Sequence, residues 1–233
     1  MSESDSDRIY VIIPAFNEEN SVGKVVEDLP KSEIEEVVVV NNNSNDKTSE
    51  NAFRAGATVL DERKPGYGRA CLKGIEYVSK KAADNDIIVF LDADYSDYPE
   101  QLIDVIKPIR EEKMDLVIGS REKGKREKGS MTVPQIFGNR LATKLIYLIY
   151  RERFTDLGPF RAIRFRALQS LEMRDKTYGW TVEMQVKAIK KNLNFCEVAV
   201  DYRKRIGFSK VSGTIKGTIL AGYKIIATII RYL

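Results

Sequence analysis

The chain has 233 residues, 43% of them apolar and 31% charged, with no histidine and a formal net charge of +4. This composition supports the core of one domain, or of one domain with an appendage, and excludes wholesale disorder. Lack of histidine removes His-based triads, His metal sites and His general bases, and so mild a charge gives no ground for nucleic-acid binding. Cys71 and Cys196 lie far apart without ligand-like spacing, so each reads as a small core residue. The first seven residues are polar and acidic, unlike a signal peptide, and a cytoplasmic protein is expected.

In chain order, Arg8 to Ile13 reads as a first strand, followed by the loop Pro14-Ala15-Phe16-Asn17-Glu18-Glu19-Asn20. Val22, Val25, Val26 and Leu29 recur at helical spacing until Pro30. Val37 to Val40 is a second strand. The polar loop Asn41 to Thr48 follows it, with Asp46 as the expected cap of the next helix. Thr58 to Leu60 is a short third strand, and Pro65-Gly66-Tyr67-Gly68-Arg69-Ala70 opens a third helix that runs to about Lys81. A helix from about Pro99 to Glu111 precedes a strand at Asp115 to Gly119. Strands alternating with helices predict an α/β fold, a mostly parallel central sheet with helices on both faces.

Between those elements lies the stretch Ile87-Ile88-Val89-Phe90-Leu91-Asp92-Ala93-Asp94-Tyr95-Ser96-Asp97. Its apolar, β-branched run predicts a strand buried on both faces. Ligands of open α/β sheets lie outside the carboxyl ends of such strands, where Asp92 and Asp94 fall. Two carboxylates this close repel unless a cation or proton lies between them. Hard oxygen donors of this kind suit Mg2+ or Mn2+, with phosphate oxygens completing the shell. An isolated Asp-x-Asp also fits a solvated turn or a helix cap, with Asp97 and Pro99 starting the next helix.

Gly66 and Gly68 permit close backbone approach to a phosphate, although a Gly-x-Gly alone more often marks just a turn. It does not extend to Gly-x-Gly-x-x-Gly, because position 71 is Cys, and no P-loop pattern occurs. In the second half, Arg121 to Gly129 is a charged loop, either solvated or reaching toward phosphate. Gln135 to Tyr150 is helical and largely apolar. Thr177 to Thr181 leads into a helix carrying Glu183. Asn194 to Val200 reads as a strand, Asp201 to Lys210 is basic, and a long helix follows. Its apolar part, Ile219 to Ile230, is too short to span a bilayer, which needs ~20 apolar residues. It is read either as a core helix or as one on a membrane surface with Lys216, Lys224 and Arg231 near headgroups, the core reading being preferred.

Taken together these motifs resemble the inverting family-two glycosyltransferases of GT-A fold, and among them the dolichyl-phosphate mannose synthase type. Val11 to Glu18 (Val-Ile-Ile-Pro-Ala-Phe-Asn-Glu) is similar to that family's opening strand and nucleotide loop. Asn41 to Thr48 stands in place of its acidic Asp-Asp-Gly-Ser-x-Asp-x-Thr loop, and Leu91 to Asp94 matches its Asp-x-Asp motif. Thr155-Asp156 with Gly158 to Arg161, and Tyr202-Arg203 through Gly207, Ser209 and Lys210, resemble segments of the synthase branch. The resemblance implies one GT-A domain over 1–211, with a nucleotide half at about 8–120 and an acceptor half at about 121–211, and a C-terminal helix over 212–233. One departure is Asn41 and Asn42 where the family carries Asp. An amide still meets a base edge but bears no charge, so the base stays open, with a UDP-sugar preferred to GDP-mannose.

The implied reaction is metal-dependent transfer of a sugar from a nucleotide-diphosphate sugar to an acceptor. Asp92 and Asp94 would hold Mg2+ or Mn2+ against the pyrophosphate, a Lewis-acid role. Donor contacts are expected from Pro14, Ala15, Asn17 and Glu18, from Asn41, Asn42, Ser44 and Asp46, from Gly66, Gly68 and Arg69, and from Ala93 and Arg121. Arg121, Arg203, Arg205 and Lys210 are candidates to share the leaving-group charge, Arg203 and Lys210 best fitting the synthase pattern. A hydroxyl acceptor requires a general base, for which Asp156 or Glu183 is the candidate. A polyprenyl phosphate requires little such help and would place the protein at the cytoplasmic membrane face. Arg161 orients an acid or binds acceptor phosphate, or else forms a surface ion pair. Two other readings stand beside this one. A sugar-phosphate nucleotidyltransferase would show a Gly-rich basic signature near the N-terminus, absent from Ile13 to Glu18. A non-catalytic membrane-surface module would need no metal site.

Overall fold

The computed structural model describes residues 7–207 and 215–232. Seven strands form one sheet in the order β3-β2-β1-β4-β6-β5-β7. The strands are β1 (Ile9–Ala15), β2 (Glu36–Asn41), β3 (Thr58–Asp61), β4 (Ile87–Phe90), β5 (Leu116–Ser120), β6 (Arg161–Arg164) and β7 (Phe195–Ala199). The helices are α1 (Val22–Asp28), α2 (Thr48–Arg54), α3 (Tyr67–Val78), α4 (Leu102–Glu111), α5 (Val133–Tyr150), α6 (Phe165–Leu171), α7 (Trp180–Lys190) and α8 (Ile215–Arg231). All pairings are parallel except those of β6, which runs antiparallel to both β4 and β5.

The unbroken apolar runs of β1 and β4 are buried along their whole length, as central strands covered on both faces must be. Alternate side chains supply two cores. Tyr10, Ile12, Ile88 and Phe90 face α3, α5 and α7. Ile9, Val11, Ile87 and Val89 face α1 and α4. Each fully buried Ile or Phe contributes ~1.5–3 kcal/mol.

β6 and α6 are the elements that sequence periodicity does not predict. β6 is only four residues, Arg-Ala-Ile-Arg, and its flanking arginines mask the pattern. It pairs Arg164, Ile163, Ala162 and Arg161 with Ile87, Ile88, Val89 and Phe90, so tertiary pairing overrides local composition. α5 starts two residues before the expected Gln135 because Thr132 and Gln135 form a reciprocal capping box. The N-cap of α2 is Lys47 and not the expected Asp46, whose carboxylate one residue earlier accepts the backbone N–H of Thr48 at 3.0 Å. The 121–129 segment is pinned to the segment that follows β7. Lys125 N–H donates to Asp201, Tyr202 N–H to Lys125 O, and Glu127 N–H to Tyr202 O.

Candidate active site

The chain leaves β1 toward β2 and β3 on one side, then returns to β4 on the other. That reversal opens a crevice at the carboxyl ends of β1 and β4, where open α/β sheets bind ligands. A cleft of about 260 Å³ lies there. β1 and its loop supply Pro14, Ala15, Phe16 and Glu18; the residue after β2 is Asn42; Pro65 and Gly66 before α3, with Tyr67 and Ala70 in its first turn, complete this side. The loop after β4 supplies Asp92, Ala93 and Asp94, while Tyr178 and Arg205 arrive from the second half.

The two carboxylates differ in their support. Asp92 Oδ1 accepts the Tyr67 hydroxyl at 3.0 Å. Burial foremost, then the charge of Asp94, push the Asp92 carboxyl up to about 7. Asp94 Oδ1 accepts Ser96 N–H at 2.9 Å, and its Oδ2 lies 3.1 Å from Arg205 Nη1. Arg205 also donates from Nη2 to Glu18 Oε1 at 2.6 Å, which anchors the guanidinium at the cleft wall. Among the described residues no group of three His, Cys, Asp or Glu encloses a metal. An open pair of hard oxygen donors, in which burial and then the neighbouring charge have raised the proton affinity of Asp92, still fits a divalent cation completed by phosphate oxygens.

Of the loops expected to bind donor, two are tied mainly to each other. Asn17 N–H donates to Ser44 Oγ at 2.9 Å, Asn45 N–H to Asn17 Oδ1 at 2.8 Å, Glu18 N–H to Thr48 Oγ1 at 2.8 Å and Glu19 N–H to Asp46 Oδ2 at 3.2 Å. Asn41 donates to Asp61 at 2.8 Å. Asn42 faces the cleft, yet its amide is fully engaged. It donates to Glu62 O and Lys64 O at 3.0 and 2.9 Å and accepts Gly66 N–H at 2.7 Å. Asn17, Asn41, Ser44 and Asp46 thus shape the rim without being among the residues that line the cleft.

The two glycines meet backbone, whatever else they do. A Cβ at Gly66, where φ is +147°, would come within 2.2 Å of Lys176 O, and one at Gly68 within 2.1 Å of Asp175 O. Arg69 N–H donates to Lys176 O at 3.2 Å. Only Gly66 of these three lines the cleft. The Gly-x-Gly therefore admits the 175–178 loop, which brings Tyr178 to the wall.

The expected catalytic residues of the second half are held elsewhere. Asp156 is buried and chelates Arg121, with both Arg121 Nε–Oδ2 and Nη2–Oδ1 at 2.7 Å. Arg161 is buried and donates to the backbone oxygens of Gly158, Leu157 and Thr181. Its burial lowers its pKa to about 10, and it is no surface ion pair. Glu183 is buried on α7, ion-paired to Lys187 at 2.8 Å, and accepts Asp175 N–H at 2.7 Å and the Tyr232 hydroxyl. Arg203 stacks between Tyr95 and Tyr98, 3.4 and 4.2 Å from their centroids, and donates to Tyr95 O at 2.8 Å. None of these five residues lines the cleft; Arg205, two residues on from Arg203, does. Ser209 and Lys210 lie outside the described residues.

Residues the sequence reading passes over complete the site. Trp180 packs edge-on against Phe90 at 4.6 Å and Tyr67 at 6.1 Å, which sets the Tyr67 hydroxyl toward Asp92. The placing of Tyr67 between two glycines at a helix start was its one signal. Asp97 caps no helix. Its carboxyl is buried with neither oxygen hydrogen-bonded, and burial, then the charge of Asp92, hold its pKa well above the usual range.

A switch-point cleft with a carboxylate pair and an anchored arginine is an arrangement that could hold a cation and, through it, an anionic ligand. Residues 10–172 match the family model described as Glycosyl transferase family 2, and the chain belongs to that family of glycosyltransferases. An uncharacterized glycosyltransferase of Mycobacterium tuberculosis is 33% identical over 224 residues, spanning 92% of this chain and 94% of the relative. A dolichyl-phosphate hexose transferase of Haloferax volcanii is 28% identical, covering 91% and 90%. Among solved structures, glucosyl-3-phosphoglycerate synthase of Mycobacterium tuberculosis in complex with Mn2+, uridine diphosphate and glucosyl-3-phosphoglycerate superposes with a TM-score of 0.78, covering 97% of this chain and 80% of that one. At 20% identity the likeness shows that the two share the GT-A fold. Family membership sets aside the nucleotidyltransferase and the non-catalytic module.

Proposed function

We propose that the protein transfers a sugar from a nucleotide-diphosphate sugar, a UDP-sugar in preference to GDP-mannose, to a polyprenyl phosphate at the cytoplasmic face of a membrane. The observation that carries this reading is the Asp92–Asp94 pair at the switch-point cleft, with Arg205 3.1 Å from Asp94. Asp92 and Asp94 would hold Mg2+ or Mn2+, which when bound supplies Lewis-acid stabilisation of the leaving diphosphate. The Mn2+ and uridine diphosphate of the structural neighbour and the lipid acceptor in the Haloferax relative's name support the donor and acceptor classes.

The protein's own groups then divide the work. Tyr67 orients Asp92 through its hydroxyl, and Arg205 brings a positive charge beside the pair. During transfer the C1–oxygen bond to the diphosphate breaks and a C1–oxygen bond to the acceptor phosphate forms on the opposite face, with inversion. The diphosphate leaves with the electron pair. A phosphate monoester is mostly ionised at neutral pH, its second pKa being about 6, so no proton has to be removed. The engagement of Asp156 by Arg121 and of Glu183 by Lys187 supports an acceptor that needs no such base.

A donor screen tests the reading. Purified protein is given UDP- and GDP-sugars with Mn2+, with and without polyprenyl phosphate, and nucleotide diphosphate release is followed. Release should rise with the lipid phosphate and stop in EDTA. Equal release in EDTA removes the metal, and preferential glycosylation of a soluble sugar removes the lipid acceptor.

A further inference from the structure

We propose that the outer face of the α5–α8 helix pair is a docking surface for an anionic lipid bilayer. This deepens the reading of a lipid-phosphate acceptor by naming the surface that meets the membrane. The two helices pack on each other, with the Tyr150 hydroxyl donating to Ile229 O at 2.9 Å. Six of the nine large apolar side chains exposed among the described residues belong to them: Val133, Phe137, Leu148, Leu220, Tyr223 and Ile230. Val133 is 80% exposed, Tyr223 72% and Phe137 67%, far beyond what a core helix shows. The expectation that the last helix is a core helix is thus met on one side only, where Thr228 and Ile229 are buried.

The exposed positions are ordered. On α5, Val133, Phe137, Arg140, Lys144 and Leu148 are spaced by three or four residues and fall on one face. Leu220, Tyr223 and Ile230, three and seven residues apart, likewise fall on one face of α8. Charge follows the same line. The two helices hold five basic residues and no acidic one, so the remainder of the chain has a net charge of −1 against +4 for the whole. Exposed apolar groups flanked by the exposed Arg140, Lys144 and Arg231 fit the boundary between acyl chains and anionic headgroups. No helix of the described residues is long and apolar enough to cross a membrane, so the face can lie on a bilayer but not pass through it.

Two such faces set against each other would bring cation to cation, which disfavours a second copy as the occupant. The surface also adjoins the site. Lys224 of α8 does not reach for headgroups but pairs with Asp175 at 3.0 Å, on the loop that brings Tyr178 to the donor cleft. A bilayer beneath α8 would therefore lie beside the cleft that a lipid phosphate has to enter.

Vesicle co-sedimentation of the full chain tests this. Vesicles of phosphatidylcholine alone are compared with vesicles containing phosphatidylglycerol, at low salt and at about 0.5 M salt, where the screening length falls to a few ångströms. Binding should require the anionic lipid and weaken with salt. Val133→Ser with Phe137→Ser should weaken it at least tenfold, and Phe53→Ser, exposed on α2, should leave it unchanged. Arg140→Glu with Lys144→Glu changes only exposed charges and should also abolish binding, so poor folding of one pair does not spare the proposal. Failure of the native chain to bind anionic vesicles overturns it. So does binding indifferent to both double variants, or a concentration-dependent dimer that Phe137→Ser abolishes. Vesicle binding needs no sugar transfer, so this outcome is separable from the donor screen.

Discussion

Arg205 Nη1 stands 3.1 Å from Asp94 Oδ2, so a cation from the far end of the chain reaches the carboxylate pair at the end of β4. Arg203 puts it there. Its stacked guanidinium and the bonds of Arg203 N–H to Ser96 O and Ile206 N–H to Asp94 O lay the 202–206 segment along the acidic loop. The two arginines should therefore fail differently. Arg205→Ala should lower kcat by about 10²–10³, the usual cost of losing one preorganised charge partner. Arg203→Ala should lower Tm, since each cation–π contact is worth ~0.5–2 kcal/mol, and should change kcat by less than about tenfold. The reverse order in steady-state assays would return the leaving-group role to Arg203.

The resemblance places Asn42 where an acid is expected, which makes Asn42→Asp the natural exchange for altering base preference. Its geometry predicts another outcome. Both amide hydrogens go to Glu62 O and Lys64 O, so a carboxylate there would face two carbonyls. The variant should lose about 1–3 kcal/mol in urea denaturation. An unchanged midpoint with a switched preference between uridine and guanosine nucleotides would mean that Asn42 reads the base.

These cases show what sequence made legible. The buried runs of β1 and β4 predict the central strands, and the acids after β4 predict the floor of the site, because burial and strand ends are local signals. β6 was hidden because its pairing with Ile87–Phe90 comes from some 70 residues away in the chain. Residue roles in the second half were hidden for a related reason. Whether Asp156 is free to act depends on Arg121, and whether Glu183 is depends on Tyr232 as well as on Lys187; only Lys187, one helical turn away, is marked locally.

Glu183→Gln is expected to cost stability and not chemistry. Burial pushes its carboxyl up, but hydrogen bonds from Lys187, Tyr232 and the Asp175 and Arg174 amides outweigh it, and the net pKa is below the usual value. A lowered pKa gives stability that is present above the unfolded-state value and lost as pH falls through the folded one. The variant should lose about 2 kcal/mol at pH 7, ~4–8 °C in Tm, with the deficit closing below about pH 4. A large fall in kcat at unchanged Tm would make Glu183 the base after all.

Asp97 has the opposite sign. Its carboxyl is held well above the usual range, first by burial and then by Asp92, so its stabilisation is complete below the unfolded-state pKa of about 4 and is lost as pH rises toward the folded one. Asp97→Asn keeps the neutral shape. In EDTA its Tm should match the native protein near pH 4 and exceed it increasingly toward pH 8, each unit of raised pKa being worth ~1.4 kcal/mol. A constant difference between the two melting curves across that range would show that Asp97 is not neutral in the fold.

Gly68→Ala tests how the second half shapes the donor cleft. A Cβ at position 68 would meet Asp175 O at 2.1 Å and Asp175 C at 2.9 Å, both backbone atoms that cannot rotate away. The loop from Asp175 has little room to retreat. Lys224 holds the Asp175 carboxylate, Glu183 accepts its N–H, and a Cβ at Gly179 would meet Thr228 Oγ1 at 2.4 Å. The strain should therefore fall on both walls, displacing Tyr178 and the α3 start that carries Tyr67. Trp180 is the chain's single tryptophan and packs on Tyr67, so its fluorescence reports the change directly. Affinity for UDP with Mn2+ should weaken at least tenfold, about 1.4 kcal/mol. Gly138→Ala is the comparison. It lies within α5 with nothing within 4 Å of the added Cβ, and should stabilise by ~0.5–1 kcal/mol with nucleotide affinity unchanged. Equal nucleotide affinity in the native protein and in Gly68→Ala would mean that the 175–178 loop does not shape the donor site.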